Sequence, residues 1–218
     1  MCIITIIMNK EKAMEIIAHR GGEGPYANNT PESFIYSIEQ GANSIEMDIR
    51  YSYLTRNFFL AHDFIHHPKR RQNLLVKAEE SMPKDVELVI EFKTVSFMTN
   101  VFVKNFVRFY NKHLTDRNVL VISFNPFVLM RLRLFSPNIP RGIICGSQFW
   151  KSVHNYLLRP FVQAQYYILN KRYLNDRNAI FAQPETGNFY RFYSRQFKRF
   201  LCSSTKNQPS LFDFRKKW

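Results

Sequence analysis

The sequence SIEMDIR, residues 44–50, alternates polar and apolar side chains with a period of two. This is the period of a β-strand, so Glu46 and Asp48 share one face of the predicted strand and the apolar residues share the other. The interior of a β-barrel can hold both carboxylates at one end.

Three further segments place polar side chains at or after the end of a predicted strand. They are His19-Arg20 after Glu15–Ala18, His62-Asp63 after Phe58–Ala61, and Glu91-Phe92-Lys93 at the end of Glu87–Phe92. A helix signal follows the first of them, with Thr30 as cap, Pro31 at the first position and Gly41 after the end. Alternating strands and helices predict a parallel sheet, and polar groups at the carboxyl ends of its strands predict a barrel.

The predicted fold class is α/β, a TIM (β/α)₈-type barrel. The chain has 218 residues, whereas a complete barrel usually needs roughly 250. The regular pattern weakens after Ser147, so we expect the last third to be incomplete or divergent. We assign the barrel domain to residues 14–204, a leader or mis-assigned start to residues 1–13, and a basic tail to residues 205–218.

An amphipathic helix is predicted near the end of the chain. From Phe189 to Phe200, aromatic residues recur at helical spacing with arginine and lysine largely opposite. This pattern suits an outer helix of the barrel, or a helix that lies on a membrane surface.

The chain carries a formal net charge of +14 and a pI of about 9.8, so its surface attracts anions. We expect no nucleic-acid partner, because no recognition motif with interleaved stacking aromatics is present. Peripheral contact with an anionic membrane is compatible with this charge. The three cysteines form no Cys-x-x-Cys pair, which favours a reducing, cytoplasmic location. The sequence leaves the oligomeric state open.

The polar strand ends supply the groups that phosphodiester chemistry needs. Glu46, Asp48 and Glu91 offer three carboxylates, the ligands of a hard divalent cation. His19 and His62 are candidates for proton exchange with the attacking and leaving oxygens. Arg20 and Lys93 are suited to the charge of a phosphate group, or to ion pairs with the same carboxylates.

These residues resemble the glycerophosphodiester phosphodiesterase family in order and spacing. The motifs are His19-Arg20-Gly21-Gly22, Asn29-Thr30, Gly41-Ala42, Ile45-Glu46-Met47-Asp48, His62-Asp63 and Glu91-Phe92-Lys93. The resemblance implies a TIM barrel, an Mg²⁺ or Ca²⁺ ion at Glu46, Asp48 and Glu91, and acid/base catalysis by His19 and His62. It also implies hydrolysis of small glycerophosphodiesters to sn-glycerol 3-phosphate and an alcohol, as part of lipid metabolism.

Two departures from the family keep other activities open. The family usually has Pro-Glu-Asn-Thr where this chain has Ala27-Asn28-Asn29-Thr30, and the stretch from His62 to Glu91 lacks the usual small insertion after the third strand. One alternative is a phospholipase D-like activity on lysophospholipid or sphingomyelin. Another is a degenerate barrel that binds anionic lipid or phosphorylated ligands without turnover.

Overall fold

The computed structural model describes residues 4–7, 15–22, 24–63, 73–94, 99–145, 159–170 and 189–194. The strands are β1 (Ile4–Ile7), β2 (Glu15–His19), β3 (Ser44–Ser52), β4 (Asn57–Leu60), β5 (Glu87–Phe92), β6 (Val119–Ser123), β7 (Arg141–Cys145), β8 (Tyr166–Asn170) and β9 (Phe189–Ser194). The helices are α1 (Pro31–Glu39), α2 (Leu75–Ser81), α3 (Thr99–His113), α4 (Pro126–Phe135) and α5 (Arg159–Val162). None of these helices is long and apolar enough to cross a bilayer.

The strands form a barrel. Strands β2, β3, β5, β6, β7, β8 and β9 pair in parallel in this order. Strand β1 completes the ring, because it pairs antiparallel with both β9 and β2. The predicted α/β fold of TIM-barrel type is therefore confirmed, and its departure from the regular pattern is this antiparallel strand. Residues 4–7 lie within the segment predicted as a leader, whereas the predicted tail, residues 205–218, lies outside the described residues.

Helix α1 begins and ends as its sequence predicts. The Thr30 hydroxyl accepts a hydrogen bond from the Ser33 backbone N–H at 3.2 Å, and the Ser33 hydroxyl caps the Thr30 N–H in return. Pro31 fits the first helical position because its missing N–H is not needed there. Gly41 follows the helix at φ 94°, a backbone conformation that favours glycine.

Two apolar cores stabilise the barrel. The inner core consists of Ile17, Val89, Leu120, Ile122 and Ile168. Val89 pairs in register with Glu46, so this core and the Glu46 side chain share the inner face of the sheet. The outer core packs the opposite face of the strands against the helices, through residues such as Ile45, Met47, Phe34 and Phe106. The described inner core is thus apolar, and the Glu46 carboxylate lies on the same face beside it.

The sequence pattern suggested that β4 is one of the barrel's parallel strands, but the structure shows that it is not. It pairs antiparallel with the far end of β3, with Ile49 opposite Leu60 and Ser52 opposite Asn57. The two strands form a hairpin whose Phe58 packs against Phe102 of α3, with ring centroids 5.3 Å apart. His62 therefore reaches the barrel end by the return of a hairpin. Period-two patterning predicts a strand but does not give its direction.

The prediction of a helix from Phe189 onward is wrong for residues 189–194, because they form strand β9. Aromatic residues favour strands, and the edges of β8 and β1 provide partners on both sides. Pairing within the sheet here prevails over the helical spacing of the aromatic side chains. The remainder of the predicted helix, residues 195–200, lies outside the described residues.

Candidate active site

Three carboxylates meet inside one end of the barrel. Glu46 and Asp48 are fully buried on β3, and Glu91 on β5 is 4% exposed. Asp48 pairs in register with Glu91 across the two parallel strands, so their side chains are neighbours on the inner face. One oxygen from each of the three carboxylates lies within 4.8 Å of the others.

The three carboxyl groups differ in charge because their surroundings differ. Burial, and then the nearby Asp48 and Glu91 carboxylates, raise the pKa of Glu46 well above its usual value. Burial, followed by the Asp48 charge, raises the pKa of Glu91 to about 7. Burial alone would raise the pKa of Asp48 too, but Lys93 and Arg20 outweigh it and lower that pKa. Asp48 is therefore the most firmly ionised member of the group.

Two cationic side chains form ion pairs with Asp48, each with a different carboxylate oxygen. Arg20 Nε lies 2.9 Å from Asp48 Oδ2, and Lys93 Nζ lies 3.3 Å from Asp48 Oδ1. Lys93 Nζ also lies 2.5 Å from Glu91 Oε1. Burial would lower the pKa of Lys93, but the Glu91 and Asp48 carboxylates raise it overall, so its ammonium stays charged.

A tight loop after β2 holds Arg20 over the carboxylates. Arg20 has a left-handed backbone at φ 55°, and its N–H donates to the Glu46 carbonyl at 2.9 Å and to Glu46 Oε2 at 3.0 Å. Gly21 follows at φ 80°, and a Cβ there would collide with the Ser33 side chain of α1. The glycine therefore lets the loop pack directly against the helix.

His19 lies at the end of β2 beside Glu46. Its Nε2 is 3.8 Å from Glu46 Oε2, and its side chain is 13% exposed. Burial, and then the Arg20 charge, lower the pKa of His19 to about 3. At neutral pH the ring is therefore uncharged and able to accept a proton.

His62 follows β4 and is more open to solvent, with 41% of its side chain exposed. The hairpin anchors it, because the Ala61 N–H donates to the Asp48 carbonyl at 3.0 Å. His62 Nδ1 lies 2.8 Å from Asp63 Oδ1. When Nδ1 carries the ring proton, it donates to Asp63 and leaves Nε2 as the acceptor. His62 is close enough to His19 and Asp48 to interact electrostatically with both.

The residues present fit a hard divalent cation. Oxygen-rich sites with several carboxylates suit Mg²⁺ and Ca²⁺. Glu46 Oε1 is buried, and among the described residues it has no hydrogen-bond partner. A buried carboxylate oxygen without a partner is costly, and a cation at the three carboxylates would satisfy it.

The structure brings all seven residues predicted from the sequence to this one end of the barrel. They are the candidate acid/base pair His19 and His62, the candidate phosphate ligands Arg20 and Lys93, and the candidate metal ligands Glu46, Asp48 and Glu91. In the structure, Arg20 and Lys93 both form the ion pairs with carboxylates that the sequence allowed.

Asn29 is a site residue to which the sequence analysis assigned no role. It is 5% exposed, and it exchanges two hydrogen bonds with Asp48. Asn29 Nδ2 donates to Asp48 Oδ2 at 2.9 Å, and the Asp48 N–H donates to Asn29 Oδ1 at 3.0 Å. Its position in the motif, directly before the Thr30 cap, could have marked it, because the loop that leads into α1 also contacts the residue that follows β2.

Arg50 is the second residue that sequence reasoning left without a role. It extends the inward-facing series that includes Glu46 and Asp48 on β3. Its guanidinium donates to the His62 carbonyl at 2.7 Å and to the Lys93 carbonyl at 3.4 Å. Arg50 therefore ties together the two segments that carry a candidate acid/base residue and a candidate phosphate ligand.

The family model that matches this chain describes the Glycerophosphoryl diester phosphodiesterase family, and it matches residues 19–65. This range contains His19, Arg20, Asn29, both β3 carboxylates and His62. The family resemblance predicted from the sequence is confirmed. No curated protein sequence matches the chain significantly.

Solved structures of the same fold extend the likeness over most of the chain. A phosphodiesterase from Oleispira antarctica, solved in complex with the product sn-glycerol-3-phosphate, is 17% identical with a TM-score of 0.71, and 87% of each chain is covered. A glycerophosphodiester phosphodiesterase from Parabacteroides distasonis is 15% identical with a TM-score of 0.66, covering 84% of this chain and 85% of the other. One from Agrobacterium tumefaciens is 18% identical with a TM-score of 0.59, covering 80% and 82%.

These comparisons agree with the predicted fold and enzyme class. At such identities the solved structures establish the barrel fold. The family model in addition matches the stretch of sequence that contains most of the site residues. The class predicted from the sequence, phosphoric diester hydrolases, is the class of that family and of these three proteins.

Proposed function

We propose that this chain is a metal-dependent phosphodiesterase that hydrolyses glycerophosphodiesters to sn-glycerol 3-phosphate and an alcohol. The observation that carries the proposal is the cluster of Glu46, Asp48 and Glu91, with oxygens within 4.8 Å of one another and with His19 and His62 nearby. The product bound to the Oleispira antarctica phosphodiesterase, a protein of the same fold, supports this class of substrate.

Glu46, Asp48 and Glu91 are the residues that would hold the cation, Mg²⁺ or Ca²⁺. When bound, such an ion supplies charge neutralisation at a phosphoryl oxygen and orients a hydroxyl toward phosphorus. Asn29 fixes the orientation of Asp48 through their two hydrogen bonds. Arg20 fixes Glu46 through its backbone N–H.

Arg20 and Lys93 would bind the phosphodiester. Arg20 offers a planar fork of donors that matches two phosphate oxygens, and Lys93 offers a compact charge. Both already lie at the carboxylate cluster, within 3.3 Å of Asp48 oxygens. Their partial burial strengthens their interaction with the charge that develops on the transferring group.

In the first half of the proposed reaction, His19 accepts the proton of a glycerol hydroxyl as that oxygen attacks phosphorus. The bond from phosphorus to the alcohol oxygen breaks, and protonated His62 donates its proton to the leaving alcohol. The product is a cyclic glycerol phosphate. In the second half His62 takes a proton from water and the water oxygen attacks phosphorus. The ring bond from phosphorus to the glycerol oxygen that attacked first breaks, and His19 returns its proton to that oxygen.

The environment of each histidine supports these roles. His19 is uncharged at neutral pH because burial and Arg20 lower its pKa, so a ring nitrogen is free of a proton, although the lowered pKa also makes it a weak base. A bound phosphodiester adds a negative charge next to it and makes it a stronger base. The Asp63 carboxylate, 2.8 Å from His62 Nδ1, stabilises the positive charge that His62 carries before it donates its proton.

A lipid-tailed substrate is the second candidate. Phe124 follows β6 with 56% of its surface exposed, and Lys93 Nζ lies 5.6 Å from its ring centroid. Phe127 is also 52% exposed. An exposed aromatic surface next to a candidate phosphate ligand suits an acyl chain, as the predicted phospholipase D-like activity on lysophospholipid requires.

Product analysis separates the two candidates. We would incubate the purified protein with Mg²⁺ or Ca²⁺ and either glycerophosphocholine or lysophosphatidylcholine. Release of sn-glycerol 3-phosphate from glycerophosphocholine supports the first candidate. Choline release restricted to lysophosphatidylcholine supports the second. Binding of divalent cation with no product from either substrate would instead favour the degenerate barrel.

We propose a role in glycerophospholipid metabolism in the cytoplasm, with peripheral contact to anionic membranes, on the basis of the unpatterned cysteines and the net charge of +14. We also propose that residues 14–204 form the catalytic domain.

A further inference from the structure

A second concave region lies on the outside of the barrel. It is a groove of about 410 Å³ between the tip of the β3–β4 hairpin, the start of α2 and the second half of α3. It shares no lining residue with the carboxylate site. Its volume falls within the range of roughly 300–1,000 Å³ that is typical of small-molecule sites.

The groove is strongly basic. Arg56 from the hairpin lines the groove together with Arg108 and Lys112 from α3, and none of the described residues that line it is acidic. Helix α3 itself contains no acidic residue, and Arg108 and Lys112 are one turn apart on it. No ion pair within the described residues neutralises any of the three cations. Like charges gathered at one groove repel each other, and a bound anion would remove this cost.

The backbone at Arg56 adds a second observation. Arg56 has φ 55°, a left-handed conformation in which glycine or asparagine is less strained. Among the described residues, the other arginine with this backbone is Arg20, which lies at the candidate active site. Arg56 ends the turn between β3 and β4, and residues with this backbone are found frequently at ligand sites.

An aromatic surface lies next to the cations. Phe109 and His113 of α3 stack with ring centroids 4.7 Å apart and planes 28° apart, and both line the groove. Phe58 lies below them, 5.9 Å from the Phe109 ring. A ligand with an anionic head and an adjoining apolar group would therefore satisfy both parts of the groove.

We propose that this groove is a second, non-catalytic binding site for a phosphate ester that carries an apolar group. Arg56, Arg108 and Lys112 would bind the phosphate, and the Phe109–His113 stack would bind the apolar group. The same chemistry is found in the headgroup region of an anionic lipid and in a soluble phosphate ester.

The His113 ring provides a local readout, which separates this groove from the carboxylate site. We would follow its imidazole NMR signal, assigned with His113→Gln, while titrating phenyl phosphate in the presence of a chelator. The variants are Arg108→Glu and, as a matched control, Lys104→Glu. Lys104 is exposed on the same helix, does not line the groove and lies over the Phe135 ring.

The proposal predicts a saturable shift of the His113 signal during the titration. Arg108→Glu should weaken the affinity for phenyl phosphate by about tenfold or more, and Lys104→Glu should change this affinity by less than about twofold. Hydrolysis of glycerophosphocholine should be unchanged in both variants. The absence of a saturable shift at His113, or an equal weakening by the two variants, would overturn the proposal, because a net-charge effect does not depend on position.

Vesicles of phosphatidylcholine with about one-fifth phosphatidic acid identify the source of the ligand. If the wild-type protein sediments with them, and Arg108→Glu but not Lys104→Glu abolishes this, the groove binds a membrane lipid. If phenyl phosphate binds at His113 and the protein does not sediment, the groove binds a soluble ester.

Discussion

Asn29 and Asp48 exchange two hydrogen bonds across the entrance of the barrel, one from the Asn29 amide to the Asp48 carboxylate and one from the Asp48 backbone to Asn29. Asn29 itself has a left-handed backbone at φ 59°, which asparagine tolerates better than most residues. The loop after β2 thus reaches back to orient a carboxylate of β3.

Replacement of this amide should weaken the proposed cation site. We expect Asn29→Ala to lower the affinity for Mg²⁺ or Ca²⁺ by about 10–100-fold, because residues that orient a ligand have effects of this size. Isothermal titration calorimetry measures the affinity. Asn28→Ala, at the neighbouring exposed position, is the matched control and should bind as the wild type does. Equal affinity in Asn29→Ala and the wild type would show that Asp48 does not depend on Asn29.

The two histidines should matter for turnover and not for cation binding. Loss of a general acid or base costs typically about 10²–10⁴-fold in rate, so His19→Ala and His62→Ala should each lower kcat by that factor. Cation affinity should stay within about twofold of wild type. Steady-state kinetics and calorimetry test the two parts. Full activity of His19→Ala would contradict its assignment as an acid/base residue.

The ion-free protein should lose stability as the pH rises through neutrality because of Glu91. Burial, and then Asp48, raise its pKa from 4.5 to about 7, so the folded state binds the proton more tightly than the unfolded state. The resulting stability is present below about pH 4.5 and is lost as the pH rises through about 7.

Urea unfolding with a chelator, at about pH 5 and about pH 8, measures this loss. In Glu91→Gln, which cannot titrate, the decrease between the two pH values should be smaller than in the wild type. The same pH dependence in both proteins would mean that Glu91 does not titrate in this range.

A buried ion pair away from the site should be important for folding. Arg117 lies 2.7 Å from Glu79 and donates to the carbonyls of Glu79, Met82 and Pro83. Arg117→Ala leaves this buried carboxylate and three carbonyls with fewer partners, and we expect it to lower the free energy of unfolding by about 3–5 kcal/mol. Lys84→Ala, which removes an exposed partner of the same Glu79, should cost much less. Similar losses in the two variants would contradict this difference, and chemical denaturation measures both.

The sequence predicts the part of the fold in which local patterns and tertiary structure agree. Strands β3 and β5 and helix α1 have clear periodicity or caps, and they carry or enclose the carboxylates. Period-two patterning gave no direction for β4, which returns as a hairpin. Residues 189–194 have the spacing of a helix, but pairing with β8 and β1 stabilises them as a strand. Local patterns contain no information about such distant partners.

The residues of the candidate site could likewise be predicted where the side chain's own chemistry suggests a role, such as binding a cation or transferring a proton. Carboxylates and histidines at strand ends stand out in a sequence, whereas Asn29 and Arg50 act through hydrogen bonds to Asp48 and to the His62 and Lys93 backbones. Such roles depend on loops that meet only in the folded chain. The groove beside α3 is likewise formed by three separate segments, of which the hairpin and α3 are about fifty residues apart in sequence.

The most direct test of the central claim is the cation dependence of glycerophosphocholine hydrolysis, measured as sn-glycerol 3-phosphate released by the wild type and by Glu46→Gln, with Mg²⁺, with Ca²⁺ and with a chelator. We predict that the wild type releases product with at least one cation, that the chelator stops the reaction, and that Glu46→Gln loses both activity and cation affinity. Product release that neither the chelator nor Glu46→Gln reduces would contradict the account.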